Sequence, residues 1–122
     1  MQSYDIKLHG SGLQIADSKE FDVPEDYNVP FPTTEAYICI PTIPDHIGSV
    51  KLDVYRDKPK DLPDLDHRYS GEIQCDSGTL VIETSLVGGV DNINFGKPGS
   101  KHIEIWSDKE DVPTHVAVSL TE

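Results

Sequence analysis

Carboxylate-rich connections are the feature of this sequence whose residue types and spacing could do chemistry. The stretch DKPKDLPDLD, residues 57–66, places four aspartates between two segments typical of β-strands, VKLDVY and YSGEIQC. Two further acidic segments, residues 17–26 and 108–111, hold five and three acids. Grouped carboxylates bind cations, either metal ions or the basic side chains of another protein. The sequence therefore predicts a partner that carries positive charge.

The overall charge supports this prediction and excludes two classes of partner. The chain has 22 acidic residues against 10 Lys and Arg, a formal net charge of −12. A nucleic-acid binder needs basic groups that displace counterions from phosphates, so we expect no nucleic-acid partner. The same negative charge repels anionic lipid, and no run of about 18 apolar residues occurs, so we expect no membrane partner. Uniform acidity that only maintains solubility is the alternative explanation of the charge.

Metal and catalytic motifs are weak or missing. The DLPDLD stretch lacks the central Gly and terminal Glu of an EF-hand, although acidic loops of a sandwich can bind calcium by other routes. His102 and Glu104 lie two residues apart and share a strand face, and we interpret them with Trp106 as a polar face with an aromatic at its rim rather than a metal site. There is no HExxH, GxSxG or phosphate-binding loop. We predict no metal, no cofactor and no enzymatic activity.

The remaining sequence predicts an all-β fold. Apolar residues alternate with polar ones in eight or nine short segments separated by Gly- and Pro-rich connections, which is typical of an antiparallel β-sandwich. The 122 residues suit a single domain, 1–122. A Pro-rich strap is predicted over residues 17–35. Cys39 and Cys75 lie in strand-like segments, and we expect free thiols in a cytoplasmic protein.

Counting the connections places the acidic segments relative to one another. Strands of an antiparallel sandwich reverse direction, so alternate connections emerge at the same end. With nine strands, the three acidic segments are the second, fourth and eighth connections. The count predicts one acidic end of the domain.

The C-terminal part of the chain resembles a known type of protein. The stretch YSGEIQCDSGTLVIETS, an interval of about twenty residues ending in KHIEIWSD, and then PTHVAVSL form a pattern of strands and turns. This pattern, over residues 69–120, is similar to the small bacterial β-proteins of the competence-protein-J, nuclease-inhibitor type. The resemblance implies a small, acidic, cytosolic protein that restrains a nuclease. It supplies no contact motif that could be mapped onto individual residues.

These observations predict an immunity or inhibitor protein that binds a basic protein toxin, a bacterial nuclease, through acidic loops. Tyr and Trp are favoured at binding hot spots, and acids beside them complement a basic partner. The alternatives are a calcium- or carbohydrate-binding accessory module, or a structural or phage interaction protein; no oligomeric state is indicated. The candidate partner-binding residues are the aromatic anchors Tyr69 and Trp106 and the acids Asp57, Asp61, Asp64, Asp66, Asp108, Glu110, Asp111, Glu20, Asp22, Glu25 and Asp26.

Overall fold

The described part of the chain consists of β-strands and the turns between them. The computed structural model describes residues 2–6, 13–18, 31–40, 50–57, 59, 62, 64–84, 88–109 and 113–122. Within these ranges there are ten strands and no helix. The strands are β1 (Gln2–Ile6), β2 (Leu13–Asp17), β3 (Thr33–Thr34), β4 (Tyr37–Ile40), β5 (Val50–Tyr55), β6 (Asp66–Cys75), β7 (Thr79–Thr84), β8 (Gly88–Asn94), β9 (Gly99–Ser107) and β10 (His115–Thr121).

The strands form two five-stranded sheets, which confirms the predicted all-β sandwich. The first sheet has the order β1-β5-β10-β9-β6 and the second sheet the order β3-β4-β2-β7-β8. The ten strands of the described residues exceed the predicted eight or nine, and the unexpected one is β3, a two-residue strand inside the predicted strap. Residues 19–30 of that strap lie outside the described residues. No helix of the described residues is long and apolar enough to cross a membrane.

Alternating apolar residues of both sheets form one shared core. Strand periodicity sends alternate side chains of each strand to the same face. Seventeen buried residues contribute, namely Cys75 and sixteen Leu, Ile and Val side chains from β2 and from β4 to β10. All four residues of β4 are buried, as its uninterrupted apolar sequence predicts. Its outward-facing Tyr37 and Cys39 form a second small cluster with Ala16.

Both cysteines are buried free thiols in this arrangement, as expected from their strand-like surroundings. Burial raises the pKa of the Cys39 thiol and of the Cys75 thiol above the ordinary value. A raised pKa lowers the fraction of reactive thiolate, so the two side chains act as small apolar groups of the fold.

The tight turn between β6 and β7 joins the two sheets. Gly78 adopts a φ of 81°, a backbone conformation that is strained for residues with a side chain. The Gly78 amide donates a hydrogen bond to the Cys75 carbonyl at 3.2 Å. The carboxylate of Asp17, at the end of β2, accepts hydrogen bonds from the Ser77 amide at 3.1 Å and from the Ser77 hydroxyl. Asp17 is only 2% exposed, so this member of the first acidic segment stabilises the turn and is not accessible to a binding protein.

One parallel pair changes the expected placement of the acidic connections. β5 runs parallel to β10, whereas β9 runs antiparallel to β10 and also to β6. Strands β5 and β6 therefore point the same way in one sheet. Their connection is a crossover that must travel the length of the sheet, not a hairpin. We call the end of the first sheet where β10 begins the upper end, and the end where it finishes the lower end.

The prediction of a single acidic end is therefore wrong for the described residues. Asp57 follows β5 at the lower end, beside Ser119 of β10, whose hydroxyl donates to the Asp57 carbonyl at 3.4 Å. At the upper end, Asp66 pairs with Ser107 of β9, and Asp108 follows Ser107 in the chain. The seven residues of β10 separate these positions by about 20 Å. Parity counting fails because it assumes that every connection reverses the chain.

Candidate partner-binding surface on the first sheet

The crossover between β5 and β6 packs against the outer face of the first sheet through its two leucines. Leu65 is 8% exposed and packs with Trp106 and Ala117, and Leu62 and Tyr55 pack around the same cluster. The amide of Leu65 donates to the carbonyl of Leu62 at 3.1 Å, which closes a turn between them. The leucines of DLPDLD thus hold the segment on the sheet, and this fixes where its aspartates project.

The described aspartates of the crossover point to solvent. Asp57, Asp64 and Asp66 are all exposed, and the Asp66 side chain is 79% exposed. Arg68 lies 3.5 Å from the Asp66 carboxylate, but its guanidinium also donates to the Ser107 hydroxyl at 3.1 Å. An exposed ion pair of this kind contributes little energy, so Asp66 stays accessible to a partner.

Asp57 lies apart from the other two, in mixed electrostatic surroundings. It lines an open depression at the lower end together with Arg56, Phe95, Thr121 and Glu122. The Arg56 guanidinium lies over the Phe95 ring at 4.9 Å from its centroid. Arg56 offsets part of the negative charge beside Asp57, as Arg68 does beside Asp66. Asp64 and Asp66 are the better candidates for contact with a basic partner because they lie together beside Leu65, which holds the crossover on the sheet.

Asp108 organises its own loop. Its carboxylate accepts hydrogen bonds from the Thr114 amide at 2.9 Å, the His115 amide at 3.1 Å and the Thr114 hydroxyl at 2.5 Å. Burial by itself would raise the pKa of Asp108, but these hydrogen bonds outweigh it and hold the pKa below the ordinary value. Three donors therefore occupy the carboxylate that the sequence assigns to a partner.

The two predicted aromatic anchors are packed into the protein. Trp106 is 9% exposed and lies beneath Leu65, with the His67 ring edge-on at 5.3 Å, so it is not a rim aromatic. Tyr69 is partly buried against the core, with its ring 5.4 Å from that of Phe31. Tyr69 also fills the space beside Gly71, where a Cβ atom would lie 2.6 Å from the Tyr69 hydroxyl. Trp106 supports the crossover from below, whereas Tyr69 packs on the core side of the sheet.

Seven of the predicted acids lie outside the described residues, and their contribution to the surface stays a prediction. They are Asp61, Glu110, Asp111, Glu20, Asp22, Glu25 and Asp26.

A buried carboxylate on β5 is a feature that the sequence reading missed. Asp53 is 6% exposed and accepts a hydrogen bond from the Ser3 hydroxyl at 2.6 Å, and His115 Nε2 lies 2.7 Å from its second oxygen. Burial would raise the pKa of Asp53, but the hydrogen bonds from Ser3 and His115 outweigh it and lower the pKa. Ser3, Asp53 and His115 thereby tie together three strands, β1, β5 and β10. The sequence feature that could have indicated this buried carboxylate is the acidic residue inside the strand segment VKLDVY.

A second buried carboxylate lies on β9, flanked by two histidines. Glu104 is 6% exposed, whereas its sequence neighbourhood predicts an exposed face. His67 Nε2 lies 3.2 Å from Glu104 Oε1, and His102 Nε2 lies 3.7 Å from Glu104 Oε2. The pairing of β6 with β9 brings His67 to this position. His102 and Glu104 do share a face, as their spacing predicts, but the contribution of His67 depends on strand register and was missed.

The described residues were also searched for side chains grouped around a metal ion. No group of three His, Cys, Asp or Glu side chains among them is already arranged to hold a metal ion. The geometry offers instead a rigid sheet that carries a crossover with exposed carboxylates. Such a surface can attract and contact a cationic partner.

Comparison with solved structures identifies the architecture. No protein-family model matches the sequence, and no curated protein matches it by sequence. The crystal structure of ComJ from Bacillus subtilis, described as an inhibitor of the DNA degrading activity of NucA, matches with a TM-score of 0.71. The match covers 100% of this chain and 96% of ComJ. The chain is similar to ComJ. Sequence identity is 5%, so the likeness to ComJ is one of fold.

The resemblance to the competence-protein-J type that residues 69–120 predict is thus confirmed at the level of structure. It also extends further than the sequence indicates, because the match with ComJ includes the N-terminal half. Residues of that half provide β1 to β5, which complete both sheets. The sequence signal was confined to the C-terminal half because strand patterns in the N-terminal half are separated by longer connections.

Proposed function

We propose that this protein is an inhibitor, of the immunity-protein kind, that binds and neutralises a basic nuclease toxin. The observation that carries the proposal is the whole-chain similarity of fold to ComJ, itself described as an inhibitor of a DNA-degrading protein. The net charge of −12 is the second support, because a nuclease that binds DNA presents a positive surface. The protein would act in the cytoplasm, without a cofactor and without catalysis of its own.

The crossover is the element that we assign to the contact. Leu62 and Leu65 hold it against the sheet, so little ordering entropy is lost when a partner binds to Asp64 and Asp66. Exposed carboxylates there would take the place of the DNA phosphates that the nuclease attracts. Electrostatic steering would make association fast and dependent on ionic strength.

The first experiment identifies the partner. The purified protein is used as bait in a lysate of the source organism at low and at high salt, and each captured protein is then tested for DNA degradation with and without added bait. We expect one basic nuclease that is captured at low salt, released at high salt and inhibited at equimolar ratio. A captured set that contains no nuclease, or a nuclease that remains active when bound, would contradict the proposal.

The second experiment tests the contact surface. In the double variant Asp64→Lys and Asp66→Lys, both substitutions lie at exposed positions, so the fold should persist while inhibition falls at least about tenfold. The matched control is Glu35→Lys with Asp76→Lys, which makes the same change in net charge at exposed positions away from the crossover. Equal loss in both variants would show that the overall charge matters and the crossover does not.

A further inference from the structure

The outer edge of β6 lies beside the proposed contact surface and is not part of it. β6 is the last strand of the first sheet and, at ten residues, the longest strand of the described part of the chain. It begins at Asp66, directly after the crossover, so its edge continues the surface that carries Asp64 and Asp66. An edge strand presents backbone N–H and C=O groups that can pair with a strand of another chain.

A hydrogen bond of Gln74 shows which backbone groups of β6 face this edge. The Gln74 amide donates to the Glu35 carbonyl at 2.6 Å, on the side of β6 that faces away from β9. Backbone groups of a paired strand alternate in direction with a period of two residues. The N–H and C=O groups of Ser70 and Glu72 therefore also point away from β9. Among the described strands, β9 alone pairs with β6.

The open part of the edge has defined ends and a suitable length. The contact between Gln74 and Glu35 closes it at one end, and a bulge between His67 and Tyr69 interrupts the register at the other. Residues 69–73 between them are regularly paired and span about 17 Å, close to the length of an average strand. Lys and Pro commonly protect exposed edges, and the stretch YSGEI contains neither. It can accept one short strand.

The side chains along this stretch favour a basic strand. Glu72 is exposed on the outer face, where its carboxylate accepts a hydrogen bond from the Ser100 hydroxyl at 3.2 Å, and the Asp66 side chain is 79% exposed. The core side of the edge is covered by the rings of Tyr69 and Phe31, 5.4 Å apart. Opposite charges on neighbouring strands stabilise their pairing, so a Lys or Arg beside Glu72 would be favourable.

We propose that an extended, basic segment of the nuclease pairs with residues 69–73 of β6 as a sixth strand of the first sheet. This inference rests on the proposed inhibitor function and specifies how the partner is held. Main-chain hydrogen bonds would provide affinity, and the carboxylates would select basic side chains. The other described edges are less suitable, because β3 has two residues and a hydrogen bond from Tyr4 to Asp91 links β1 to β8.

A proline substitution on the open edge tests the proposal. Ser70→Pro removes an N–H that pairing with β9 does not use and places a ring where the added strand would lie. The matched control is Ser70→Ala, which keeps the N–H, and neither substitution changes the net charge. The probe is the nuclease that the native protein captures and inhibits. We expect inhibition of its DNA degradation to be at least about tenfold weaker for Ser70→Pro and unchanged for Ser70→Ala.

Hydrogen exchange of the native protein provides a second readout that stands even if Ser70→Pro does not fold. The amides of Ser70 and Glu72 should exchange at least about tenfold more slowly in the complex than in the free protein, whereas those of β8 should not change.

The outcomes separate this proposal from the inhibitor function. Unchanged exchange at Ser70 and Glu72 in the complex, full inhibition by folded Ser70→Pro, or equal loss in Ser70→Ala would overturn pairing at the edge while the inhibitor function stands. If the native protein inhibits no nuclease, both proposals fail.

Discussion

The loop between β9 and β10 should depend for its stability on the charge of Asp108. In the variant Asp108→Asn, one oxygen still accepts from the backbone, but the negative charge and one acceptor are lost, while three donors still point at the group. Hydrogen bonds to a charged group contribute roughly 1.5–3 kcal/mol each. Asp108 is partly exposed, so solvent screening reduces this figure, and we expect a loss of about 1–2 kcal/mol at neutral pH. In a domain of this size the melting temperature should fall by roughly 4–8 °C.

The pH dependence of this loss distinguishes a charge effect from a packing effect. The pKa of Asp108 is lowered in the folded state from its ordinary value of 3.8. A carboxyl group with a lowered folded pKa stabilises the protein above its unfolded pKa, and the stabilisation disappears as the pH falls through the folded pKa. The Asn side chain does not titrate. The difference in stability between native protein and variant should therefore be largest near pH 7 and shrink below about pH 4.

Urea unfolding followed by tryptophan fluorescence provides the measurement. Trp106 is the single tryptophan and is 9% exposed, so its emission reports unfolding directly. The control is Asp64→Asn, a substitution at an exposed carboxylate of the crossover, for which we expect a change below about 0.5 kcal/mol at every pH. A loss in Asp108→Asn that is the same at pH 7 and pH 3 would refute the assignment of the stabilisation to the charged carboxylate.

Two further predictions concern the packing of the crossover and a hydrogen bond between the sheets. Leu65→Ala should destabilise the protein by about 2–3 kcal/mol and shift the Trp106 emission to longer wavelength, since Leu65 covers that ring; an unchanged spectrum would contradict the packing. The hydroxyl of Tyr4 donates to Asp91, and this hydrogen bond, with burial, raises the pKa of Tyr4 to about 12. Ultraviolet titration of Asp91→Asn should show one tyrosine pKa returning toward 10, and an unaltered titration curve would argue against the contact.

Local sequence pattern was sufficient to predict the strands and their buried faces. Alternation in VKLDVY marks Val50, Leu52 and Val54 as core residues, and all three are at most 1% exposed. The unbroken apolar run YICI correctly indicates that β4 is buried on both faces. These features depend only on residues two positions apart, because the pleat of a strand alternates its side chains. Turn glycines such as Gly78 are predictable for the same local reason.

The candidate site was less predictable because it depends on pairing between distant segments. The approach of His67 to Glu104 follows from the register of β6 against β9, positions 37 residues apart in the sequence. Asp108 has the composition of a solvent-facing loop acid, and only the path of the loop brings the amides of Thr114 and His115 to its carboxylate. Sequence spacing shows which residue types are present but not which donors surround them.

The parallel pairing of β5 with β10 accounts for both the failed and the successful parts of the prediction. It forces the β5–β6 connection to cross the outer face of the first sheet, which ruled out a single acidic end. The same crossing explains why DKPKDLPDLD combines leucines with aspartates. A segment that passes over a sheet must bury some side chains on it and expose the others. Leu62 and Leu65 meet the first requirement and Asp64 and Asp66 the second, so the acidic surface is a consequence of the route of the chain.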